Sequence, residues 1–178
     1  MKALIHRILP YFRIKKAIRK LSLNEQADGY LQFASKFTRG YVDKESNDVK
    51  SVFKDVDRER FLHERLIVIF WLIDKFISDP ERKLTAVIHE KYFKLRGIRD
   101  NKEAAAKEAA LIMSRYKEYY SVWDDKTGTD QQFLAAAIAK NILGAEKPLL
   151  NAHVTFDISI DLTLMIKALT DFAKKMSC

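Results

Sequence analysis

The chain of 178 residues is poor in the residues that break or cross-link regular structure. Five glycines and three prolines are too few to turn an all-β fold through its many tight corners. A single cysteine, Cys178, excludes an intrachain disulfide and fits a reducing, cytoplasmic setting. As the last residue, it does not form a prenylation box, in which cysteine stands fourth from the end. Phosphate-binding loops, dinucleotide glycine patterns and a nucleophile elbow are all absent. The longest clean apolar run, Leu66–Ile73, has eight residues between Glu64-Arg65 and Asp74-Lys75. A bilayer needs about 20, so no transmembrane segment is expected. The opening stretch "ALIHRILPYF" is interrupted by His6, Arg7 and Pro10 and lacks a small-residue cleavage pattern, so it does not read as a secretory signal.

What is present is apolar content of 48% with 31% charge, the balance of a globular chain long enough to bury a full core. The charge is unevenly placed. Residues 1–20 hold seven Lys/Arg and no acid, whereas the other 158 residues carry 25 basic and 24 acidic side chains. The net charge of +8 is therefore the property of one segment. Within it, Tyr11, Ile14, Ile18 and Leu21 fall on one helical face, and Arg13, Lys16 and Lys20 on the other. Pro10 removes an amide donor and predicts a kink.

Helix signals punctuate the remainder. Ser22 and Glu25 form a capping box, in which each side chain accepts from the other's amide; the helix they open is expected to end at Gly40. Helical spacing resumes with Val49, Val52, Phe53 and Val56. A further helix spans about 61–77. Asp79 before Pro80 reads as the start of another, closed by Gly97. Asp100 and Glu103 form a second box before a run of strong helix formers. Thr129 and Gln132 mark a last restart, ending at Gly144. Gly29 alone lies inside a helix for which close approach of a neighbour is the ordinary reason.

"HVTFDISIDLTL" is the exception. Val154, Phe156, Ile158, Ile160, Leu162 and Leu164 alternate with polar residues, a strand pattern. It reads as a short extended segment near 153–158 leading into a helix capped around Ser159 or Asp161. A helix from near Asp157 fits equally. The fold class is all-α: one domain, 1–178, an irregular bundle of six or seven helices around a buried central helix at about 61–77, with that extended segment as an option. Residues 1–21 form its basic amphipathic N-terminal segment.

Catalytic and metal signals are weak. His63-Glu64 and His89-Glu90 begin the zinc-protease pattern, but Ile67 and Phe93 stand where the second histidine must be. Glu59 and His63 are spaced by four, not three, so the di-iron pattern fails too. No cofactor or metal is expected. Asp157 and Asp161 share a face and read as solvent-side or N-cap residues. Tyr116, Tyr119, Tyr120 and Trp123 concentrate aromatic surface on one helix, so Tyr116 and Tyr120 with His89 are the candidate lining of an inter-helix pocket. The leading expectation is a non-catalytic, soluble cytoplasmic domain working through protein–protein contact, with a protein partner or as a homodimer. The contact would use the N-terminal helix or residues 149–176. The alternative is binding to an anionic membrane surface or to nucleic acid through Arg13, Lys15, Lys16, Arg19 and Lys20. A ligand binder or enzyme with the aromatic pocket is the third reading.

Overall fold

The computed structural model describes residues 21–77, 81–123, 131–144 and 152–176; the side chains of 152 and 153 are outside that description. Among the described residues the protein is all-helical, with no strand. Six helices follow one another: α1 (Leu23–Asn47), α2 (Arg58–Phe76), α3 (Lys83–Leu95), α4 (Lys102–Val122), α5 (Gln131–Leu143) and α6 (Ala152–Lys175). The N-terminal segment and its Pro10 lie outside the described residues.

Local chemistry sets the helix starts. The Ser22 amide donates to Glu25 Oε2 at 2.8 Å, and the Glu25 amide donates to Ser22 Oγ at 3.3 Å, so the first capping box forms as its sequence requires. Asp57 Oδ1 accepts from the Arg60 amide at 2.8 Å and opens α2. The second box is displaced by one residue: Asn101, not Asp100, is the N-cap and accepts from the Ala104 amide. The helix read from Asp79-Pro80 begins at Lys83, after Arg82 in a left-handed conformation (φ 54°); Asp79 and Pro80 themselves lie outside the described residues.

Two further expectations fail. Helix α1 passes through Gly40 and continues to Asn47. Glycine permits an exit but does not compel one. The turns beyond it are held by the fully buried Val42 and by Asp43, which accepts from Arg58 at 2.6 Å. Residues 49–56, read as helical, form turns instead. Asp48 accepts from the Lys50 amide and Ser51 from the Phe53 amide, so local side chains take the donors a helix would use. Of their apolar set only Phe53 is fully buried, 4.9 Å from the Phe61 ring, while Val56 packs partly against the core.

The extended segment at 153–158 is also absent: α6 is helical from Ala152. A lone strand would leave its amides without partners, whereas a helix satisfies its own. Val154, Ile158, Leu162, Met165, Leu169 and Ala173 are buried at helical spacing. The other half of the alternation, Phe156, Ile160 and Leu164, faces outward.

Helix α2 packs against each of the other five, with α1 and α3 paired together and α5 and α6 paired together. Ile67 through Ile73 are each at most 1% exposed, so neither lipid nor water reaches the eight-residue run beyond its partly covered first member, Leu66. No helix among the described residues is long and apolar enough to cross a membrane. Three ionisable residues of α2 are buried with this run, and each is answered by another helix. Glu64 accepts two hydrogen bonds from Arg115 of α4 (2.7 and 2.9 Å), Arg65 pairs with Asp161 of α6, and Asp74 accepts from the Tyr120 hydroxyl at 2.6 Å. Burying such groups costs less when each has a hydrogen-bonded partner.

Candidate functional site

Helices α1 and α6 run antiparallel. Gly29 lies against Met176, Tyr30 and Phe33 against Phe172, and Tyr41 against the Arg65–Asp161 pair. A Cβ on Gly29 would come within 2.9 Å of the Met176 sulfur, so the glycine does serve a close approach. Further along, the helices stand apart and leave a groove of about 910 Å³. It continues past Lys36 and Phe37 into a smaller hollow lined by Gly29, Phe33 and Phe172. The whole trough follows α1 from Gly29 to Glu45, about 24 Å at 1.5 Å per residue.

Its walls are apolar in the middle and charged at the rims. Ile160 and Leu164, 47% and 55% exposed, line it from α6, and Phe37 and Val52 line it from the opposite side. Phe156 stands one turn before Ile160 at 62% exposure. Lys36, Lys44, Lys50 and Lys167 share the rim with Glu45, Asp48, Asp157 and Asp171. The surface is therefore close to neutral.

Two features of the trough go beyond simple exposure. First, Gly40 lies on its α1 wall, with nothing within 4 Å of the position a Cβ would take. An interior helical glycine costs about 1 kcal/mol relative to alanine, and no neighbour in the fold requires this one. Second, the floor contains Asp161, which is buried, contradicting its reading as a solvent-side or capping residue. Both its oxygens accept from the buried guanidinium of Arg65, whose central carbon sits 3.6 Å from the Tyr41 ring centroid. Burial pushes the Asp161 carboxyl above its usual range, against the opposite pull of Arg65. The Tyr41 hydroxyl is raised as well, chiefly by burial and then by Asp161.

The residues singled out from sequence lie elsewhere. Arg13, Lys15, Lys16, Arg19 and Lys20 are outside the described residues. His89, Tyr116 and Tyr120 come together on α3 and α4 but do not line the trough. His89 Nε2 and the Tyr116 hydroxyl are 3.0 Å apart, with ring centroids 5.7 Å apart. Tyr120 is turned to Asp74. Burial lowers the His89 imidazole to about 4 and lifts the Tyr116 hydroxyl well above its ordinary value. The hydroxyls are thus engaged with α2 and α3. His63 is likewise engaged, 2.5 Å from Glu108. No group of three or more candidate metal ligands converges among the described residues.

Sequence reasoning named residues 149–176 as a possible contact segment without singling out Phe156, Ile160 and Leu164, and read Gly40 only as a helix end. The signal was present: half of a strict alternation must emerge on one face once the segment is helical, and a helical glycine without a neighbour marks space. No protein-family model, curated protein or solved structure matches this chain, so its functional reading rests on its own geometry.

Proposed function

We propose that this protein is a non-catalytic helical domain of the cytoplasm that works through protein–protein contact, and that the α1/α6 trough is its contact surface. The observation that carries this reading is the row Phe156, Ile160 and Leu164, exposed at helical spacing beside an open groove. Exposed apolar rows rimmed by polar groups are the ordinary signature of an interface. The balanced rim favours a protein over a polyanion, since a phosphate-rich partner would be met by cations alone.

The test is a photo-crosslinking amino acid placed at Leu164 in cells, with the same group at Met113, an exposed apolar residue of α4. Adducts from Leu164 that disappear with Ile160→Glu, and none from Met113, are expected. No adduct from Leu164 would refute the assignment of the surface.

A second contact is favoured by charge placement. Seven cations and no acid in residues 1–20 suit an anionic membrane surface or nucleic acid. Retention on anionic vesicles or on DNA that weakens steeply with salt supports it; indifference to both removes it.

A further inference from the structure

We infer that the occupant of the trough is a second copy of this chain, docked through an antiparallel pairing of the two α6 helices. This rests on the contact surface proposed above and identifies its partner.

The argument comes from spacing and charge along α6. Asp157, Ile160, Leu164, Lys167 and Asp171 recur at alternating intervals of three and four, the spacing of one helix face, with an apolar centre and charged ends. All five line the trough. An antiparallel copy centred between Ile160 and Leu164 sets each Ile160 against the partner's Leu164. The same register places Phe156 over the partner's Ala168, a large side chain over a small one. It also places Asp157 opposite the partner's Lys167. Neither Asp157 nor Lys167 has an ion-pair partner among the described residues. A parallel register instead stacks Asp157 on Asp157 and Lys167 on Lys167. The face is thus complementary to its own two-fold image, which an isologous interface requires. The open space at Gly40 lets the partner's α6 lie close to α1 while resting on its own counterpart.

The dimer is tested with the purified full chain by sedimentation equilibrium. The wild type is expected to dimerise below about 100 µM, the range of weak but specific self-association. Leu164→Glu should leave a folded monomer, since residue 164 is exposed and its loss opens no cavity. Asp157→Lys alone and Lys167→Asp alone should each weaken the dimer about tenfold, because symmetry makes every change count twice. The double swap, Asp157→Lys with Lys167→Asp, should restore it to within about threefold. Circular dichroism and thermal unfolding confirm that each variant is folded.

A wild type that stays monomeric throughout overturns the second copy as occupant. If Leu164 still forms specific adducts with another protein in cells, the contact surface itself stands. A dimer that Leu164→Glu dissolves but the double swap does not restore overturns the antiparallel register. A dimer indifferent to Leu164→Glu, with no crosslink at that position, overturns both the inference and the contact surface beneath it.

Discussion

Replacing Asp161 by leucine probes the electrostatics beneath the trough most directly. The change removes the carboxylate that holds the buried Arg65 guanidinium and leaves a cation in the interior. Breaking a buried pair from one side costs about 3–5 kcal/mol. The Tyr41 ring, its centroid 3.6 Å from the Arg65 guanidinium carbon, keeps part of the cation's stabilisation, roughly 0.5–2 kcal/mol. The loss should therefore lie at the lower end, about 3 kcal/mol, or a fall in Tm of about 6–12 °C for a domain of this size. Replacing both partners, Arg65→Met with Asp161→Leu, removes the stranded charge and should return stability to the wild-type level or above it. The readout is urea unfolding followed by far-UV circular dichroism, with m values checked for equality so that the midpoints report stability alone. An Asp161→Leu variant within about 1 kcal/mol of wild type would refute the reasoning. So would a double variant less stable than either single one, because the pair would then contribute more than its burial costs.

Three further outcomes follow from the same structure. Gly40→Ala should stabilise the domain by about 1 kcal/mol, since the new methyl meets no neighbour. Gly29→Ala should gain less, because its methyl must displace the Met176 thioether; equal gains in the urea series would contradict that packing. His89, held near 4 in the fold, binds its proton less readily than in the unfolded chain, whose histidine titrates near 6.5. Between those values the unfolded state carries more protons, so stability falls as pH falls. The loss from about pH 7.5 to about pH 5 is roughly 2 kcal/mol, and His89→Gln should flatten that slope. Asp161, with its carboxyl raised, acts in the opposite sense at lower pH. A wild-type slope unchanged by the substitution would place the titrating group elsewhere.

The sequence by itself determined the helical class, the start at Ser22 and the approximate positions of other helices. Capping residues and apolar periodicity act over three or four neighbours, and Ser22, Asp57 and Gly97 carry their instructions locally. The burial of Ile67 to Ile73 was legible for a similar reason, because apolar residues in succession leave no side of a helix for water. Tertiary structure decided the rest. Whether α1 ended at Gly40 depended on what packed against Val42, and whether Asp161 faced solvent depended on Arg65, 96 positions away. The alternating segment matched two periodicities, and only the surface offered by α2 and α5 chose the helix. That choice buried Val154, Ile158 and Leu162 and left Phe156, Ile160 and Leu164 outside. The trough exists because α1 and α6 diverge beyond Phe172, a relation between distant elements that no local spacing encodes.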